Sequence, residues 1–217
     1  MENNVITPEI FNHYAERFTS PLADSINELD QETNASIRGA HMLSGHLQGM
    51  FLKLMSDWIQ PKFVLELGTY TGYSAMCLAS GLKEGGKVIT IDSDKSLVDI
   101  RNKYWQAAGL TDKIEFIEGK GLDVLPDLKQ PFDLIFIDAD KRNYGPYFDL
   151  IIDQIPVGAC IIADNVMFHG EVVLSEDEQS KSAKFMHEFN QKISQDDRVE
   201  QVLLPIRDGL LMIRKIK

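Results

Sequence analysis

Apolar positions along this chain follow two different rhythms. Over roughly the first sixty residues they recur at helical spacing. Leu47, Met50, Phe51, Leu54, Met55 and Trp58 make one helical stripe, and Pro61 follows its end. Two shorter helices are expected before it, because Thr7-Pro8-Glu9 and Ser20-Pro21 each set a capping hydroxyl ahead of a proline suited to the first helical position. From Lys62 onward, short apolar runs alternate with helical stripes. Residues 63–67 read as a buried strand, and 87–92, 113–118, 132–138 and 159–164 as four further strands. Between them, 73–82 reads as a helix after a turn at 68–72. Leu97, Ile100, Tyr104, Trp105 and Ala108 share one helical face closed by Gly109, and further helical patterns lie within 142–154 and 178–193.

Strand and helix in alternation predict an α/β fold with a mostly parallel sheet and helices on both faces. The end of the chain breaks the rhythm. Two strands, 199–204 and 210–216, are separated by Pro205-Ile206-Arg207-Asp208-Gly209, too short for a helical crossover, so this pair is antiparallel. The expectation is one domain over 1–217, with helices over 1–60 and a seven-stranded core over 62–217.

Composition narrows the function classes. With 217 residues and 44% hydrophobic content, the chain can bury a sizeable core. A net charge of −11 argues against nucleic acid as a partner. The start is polar and acidic, with no signal peptide in view, and no apolar run approaches the ~20 residues that span a bilayer. Cys77 and Cys160 form no CxxC pair and read as two buried thiols, which fits a reducing cytoplasm. The histidines show no metal-binding spacing.

The candidate chemistry lies at strand ends, where open parallel sheets bind ligands. The first strand runs into Glu66-Leu67-Gly68-Thr69-Tyr70-Thr71-Gly72-Tyr73-Ser74. Its glycines admit a ligand close to the backbone. The ExGxxxG spacing is not the GxGxxG of a dinucleotide site. The second strand ends in Asp92, 24 residues after Gly68. A carboxylate there can accept both hydroxyls of a ribose, or it can cap the segment starting at Ser93. The fourth strand ends in Asp138-Ala139-Asp140-Lys141 and the fifth in Asp164-Asn165. Asp138, Asp164 and Asn165 would bring two carboxylates and an amide oxygen to one sheet edge. That is a hard donor set suited to Mg²⁺, Mn²⁺ or Ca²⁺. Two carboxylates held together without a cation would drive one pKa up; the alternative is that these residues cap strands in solvent.

The segments VLELGTYTGYSA, ITID, FIDADKRNY and ADNVMFHG together resemble the metal-dependent O-methyltransferases of the caffeoyl-CoA and catechol type, over about residues 40–217. The resemblance implies a Rossmann-like methyltransferase fold that binds S-adenosylmethionine through Ser44, Glu66, Gly68, Thr69, Ser74, Asp92, Gly121, Asp138 and Asp140. It implies a divalent metal, Mg²⁺ first among the candidates, on Asp138, Asp164 and Asn165. Lys141 resembles the proposed catalytic base of the catechol enzymes. His169 falls at a substrate-contacting position where the plant enzymes carry asparagine, and Arg142 replaces an acidic residue common in the plant sequences; the His169 departure leaves the acceptor's identity open. The implied reaction is methylation of a vicinal-hydroxyl phenol. A phenol with a pKa of about 10 is acidified by metal coordination and can lose its proton to Lys141 if nearby cations depress the lysine's own pKa. The acceptor is then a small phenolic molecule and the assembly a homodimer, as is usual in the family. Met42, Met50, Phe51, Met55 and Trp58 read as core or dimer contacts rather than substrate pocket. Two alternatives stand beside this reading: a tRNA hydroxyuridine O-methyltransferase, and a cofactor-binding module without chemistry.

Overall fold

The computed structural model describes residues 9–217. Eight α-helices and seven strands are assigned among them. The helices are α1 (Glu9–Arg17), α2 (Asp24–Ser36), α3 (Gly45–Ile59), α4 (Tyr73–Leu78), α5 (Val98–Ala107), α6 (Gly121–Val124), α7 (Tyr144–Ile152) and α8 (Lys181–Ser194). The strands are β1 (Phe63–Leu67), β2 (Lys87–Asp92), β3 (Ile114–Glu118), β4 (Leu134–Ile137), β5 (Cys160–Asp164), β6 (Val199–Leu204) and β7 (Leu210–Lys215). They form a seven-stranded sheet in the order β3-β2-β1-β4-β5-β7-β6. It is the expected Rossmann-like α/β fold, mostly parallel with an antiparallel C-terminal strand.

Contacts gather the chain into two compact units, Ala15–Gly121 and Leu122–Lys217, residues 9–14 grouping with the latter. In the first unit β1 pairs with β2, and β2 with β3, all parallel. Val64, Leu65, Val88 and Ile89 are buried on these strands, as near-continuous apolar runs require when both faces are covered. In the second unit β4 and β5 are parallel, with Ile137 opposite Ala163. That register makes Asp138 and Asp164 neighbours at one strand edge. β7 then enters antiparallel between β5 and β6, so the last hairpin folds back into the sheet.

Three expectations need correction or qualification. The first helix signal, at Thr7-Pro8, lies outside the described residues. The second is misplaced: α2 begins at Asp24 behind Ala23, and residues 20–23 are not helical. Leu22 is buried in this stretch, so core packing outweighs the local signal. Cys77 is buried as expected, but Cys160 is only half-buried. Burial pushes its thiol up to about 11.

Candidate active site

The glycine turn and Asp92 belong to the first unit. Gly68 follows β1 with φ +98°, and its N–H donates to the Ile91 carbonyl at 2.9 Å. The turn then folds over Asp92 at the end of β2. Thr69 and Tyr70 donate their backbone N–H groups to Asp92 Oδ2 at 3.0 and 2.9 Å. Asp94 N–H donates to Asp92 Oδ1 at 2.9 Å. Since α5 starts only at Val98, Asp92 is not its cap. Its carboxylate instead locks the β1 turn to the β2 turn.

Beneath this turn runs a buried polar chain. Thr90 Oγ1 donates to Glu66 Oε2 at 2.5 Å, and the Thr69 and Thr90 hydroxyls lie 2.6 Å apart. Glu66 is fully buried on β1. A carboxylate in that position needs such partners, because an unpaired buried charge is costly. Ser44 precedes α3, Ser74 stands in the first turn of α4, and both are buried. Gly121 opens α6 and is buried as well.

The acids and the lysine belong to the second unit. Lys141, in a short 3₁₀ turn after β4, donates from Nζ to Asp138 Oδ1 at 2.9 Å and to Asn165 Oδ1 at 2.6 Å. It also lies 2.9 Å from the Tyr144 hydroxyl. Asn165 is left-handed at φ +57°, a conformation asparagine tolerates better than most residues. Its N–H donates to Asp164 Oδ1 at 2.7 Å, and Asp164 is buried. Burial alone pulls the Lys141 pKa down. The Tyr144 oxygen, Asp138 and Asp164 more than offset this and hold it raised. Two of the three expected ligand oxygens therefore already converge on a cationic group. Among the described residues no cluster of three His, Cys, Asp or Glu side chains is suited to a metal. The donor set is two carboxylates and an amide, as read from the sequence, and it is chemically fit for a hard divalent ion.

Asp140 is exposed, and its carboxylate accepts from the Tyr147 hydroxyl at 2.6 Å and from the Asn143 amide. His169 lies in a left-handed run, Phe168, His169 and Gly170 at φ +40°, +55° and +76°. Its N–H donates to Asp208 Oδ1 at 2.5 Å, while its side chain is 74% exposed. Met167 and Val166 donate to the carbonyls of Asp208 and Gly209 at 2.9 and 3.1 Å. The hairpin loop before β7 thus braces the segment after Asn165.

The sequence reading missed Tyr144, Asn190, Asp208 and Arg101. The Tyr144 hydroxyl lies 3.0 Å from the Ile137 carbonyl and 3.1 Å from that of Asp164, bridging the ends of β4 and β5. Its spacing of three from Lys141 was the available signal. Asn190 on α8 donates to the Val166 carbonyl at 2.8 Å, a contact 24 residues away that no motif announces.

Comparison with known proteins resolves the class. Residues 16–216 match the O-methyltransferase family. The chain belongs to that family. It is an S-adenosylmethionine-dependent O-methyltransferase of the caffeoyl-CoA kind. It is 34% identical to caffeoyl-CoA O-methyltransferase 5 of Nicotiana tabacum over 204 residues, 89% of this chain and 85% of the relative. It is 36% identical to the caffeoyl-CoA O-methyltransferase of Mesembryanthemum crystallinum over 180 residues, 78% and 71% of the two chains. The O-methyltransferase of Bacillus cereus, solved in complex with SAH, superposes with a TM-score of 0.84 at 32% identity, covering 95% of this methyltransferase and 97% of that chain.

Proposed function

We propose that this methyltransferase uses a divalent cation, Mg²⁺ first among the candidates, to methylate one hydroxyl of a small vicinal-hydroxyl phenol. The observation that carries this reading is the convergence of Asp138 Oδ1 and Asn165 Oδ1 on the Lys141 ammonium. Side-chain oxygens that gather round one positive charge suit another. Asp138, Asp164 and Asn165 would hold the metal. Bound there, it would act as a Lewis acid that lowers the pKa of a coordinated hydroxyl.

The chain's own residues do the rest. Asp92, fixed by three backbone N–H groups, accepts the ribose hydroxyls of S-adenosylmethionine, which supplies the reactive methyl. Ser44, Glu66, Gly68, Thr69, Ser74 and Gly121 complete its cradle, with Asp138 and Asp140 as further contacts. With a cation held on Asp138, Asp164 and Asn165, the oxygens that keep the Lys141 ammonium charged would be taken up and its pKa would fall, and the neutral Nζ would then take the phenolic proton. Tyr144 steadies that nitrogen through its hydroxyl. His169 offers an exposed ring to the acceptor.

Turnover of a catechol with labelled S-adenosylmethionine tests the metal. Chelation with EDTA should abolish it and Mg²⁺ should restore it. Full activity of demonstrably metal-free protein would remove the metal from the reading while leaving the methyltransferase assignment intact.

A further inference from the structure

Arg101 lies on α5 and is fully buried. It shares the inward face of that helix with Ile100, Tyr104 and Trp105, which are buried as well. A guanidinium in such a place must satisfy fixed donors without water. Its Nε donates to the Tyr70 carbonyl at 2.6 Å and its Nη2 to the Asp94 carbonyl at 2.8 Å. Its Cζ lies over the Phe116 ring on β3, 4.3 Å from the centroid. Nη1 is buried with no hydrogen-bond partner among the described residues.

The two carbonyls that Arg101 grips belong to the two turns that Asp92 joins. Asp92 takes the N–H groups of Thr69 and Tyr70 on one turn and of Asp94 on the other. Arg101 takes the carbonyl oxygens of Tyr70 and Asp94. The turns are therefore clamped through both kinds of backbone group, by an anion and a cation. Tyr70 sits at φ +47°, a conformation that a tyrosine adopts only when its surroundings impose it. A side chain that only filled space would do so with less desolvation cost as a leucine or methionine.

We propose that Arg101 is a positioning residue for S-adenosylmethionine: it fixes the Tyr70 and Asp94 carbonyls and thereby the angle at which the Asp92 carboxylate meets the ribose. The proposal rests on the assignment of Asp92 to the cofactor. It concerns the planar fork as much as the charge, because an ammonium cannot present two fixed donors in the same way.

The test compares the wild type with Arg101→Gln, Arg101→Lys and Asp92→Asn. S-Adenosylmethionine binding is measured by calorimetry, thermal unfolding without ligand, and KM against kcat. Arg101→Gln should weaken binding by about tenfold or more, as expected for the loss of two charge-assisted bonds. Arg101→Lys should recover only part of this. KM for S-adenosylmethionine should rise by more than kcat falls. Arg101→Gln combined with Asp92→Asn should lose less than the product of the single losses, since both act on one geometry. Unchanged affinity beside a lowered melting temperature, independent losses in the double variant, or failure of both Arg101 variants to fold would each overturn the proposal. Absence of S-adenosylmethionine binding in the wild type is a separate result and would remove the cofactor assignment itself.

Discussion

Lys141 shows how a site is built from one side chain. Three residues beyond Asp138, it reaches Asp138, Asn165 and Tyr144 at once. The motif FIDADK made the lysine and the acids legible, because they are adjacent in sequence. The tyrosine brace and Arg101 were not legible in the same way, since their partners are backbone carbonyls on other segments. A charged residue on an otherwise apolar helical face was the one trace Arg101 left. If Lys141 takes the phenolic proton, Lys141→Ala should lower turnover by ~10²-fold or more. The loss should shrink for catechols carrying electron-withdrawing groups, which ionise with less help. Equal losses across acceptors of different acidity would leave Lys141 as an electrostatic residue only. Rates measured with a graded series of substituted catechols decide this.

At the scale of elements, the cofactor turn depends on a helix that packs behind it. Gly72 caps α4 in the left-handed region, at φ +85°. A Cβ added there would stand 2.7 Å from Trp105 Nε1 and 2.8 Å from its Cζ2. Gly72→Ala should therefore combine left-handed strain with overpacking and cost roughly 2–4 kcal/mol of stability. Urea denaturation measures this, and a midpoint equal to the wild type would show that the Trp105 ring yields freely. The inner strands β1, β2, β4 and β5 were legible because burial on both faces gives unbroken apolar runs, whereas the edge strands β3 and β6 are exposed in part and interrupted by polar residues; all seven lie within two residues of their expected ends. Helix starts were less so. Ser20-Pro21 carries a good local signal, yet α2 begins at Asp24 because Leu22 is drawn into the core. Local propensity is worth tenths of a kcal/mol to about one, while burying a leucine is worth about 1.5–3. The 3₁₀ segment Phe168–Val173, with its left-handed run at His169, had no periodicity to find; it is set by the Asp208-Gly209 loop that braces it.

At the scale of the whole molecule, the chain carries a net charge of −11 yet leaves large apolar side chains in solvent. Among the described residues, no helix is long and apolar enough to cross a membrane. Single exposed apolar residues are ordinary on protein surfaces. Here they follow helical spacing. Ile10, Tyr14 and Phe18 recur every fourth residue along and just past α1, with Phe11 beside them, and Leu54 and Trp58 do so on α3. Trp58 is 73% exposed, and the other five are exposed as well. A tryptophan buries some 150–250 Å² when covered, and such residues anchor protein interfaces. We propose that a second copy of this chain covers one of these stripes, giving a homodimer. Light scattering at micromolar concentration should report twice the chain mass. Phe11→Glu and Trp58→Glu place a charge on α1 and α3 separately, so whichever variant falls to the monomer mass identifies the contact. Retention of S-adenosylmethionine binding in that variant would separate assembly from folding. A monomer mass for the wild type across that concentration range would overturn the assignment, and the two stripes would then need a different partner.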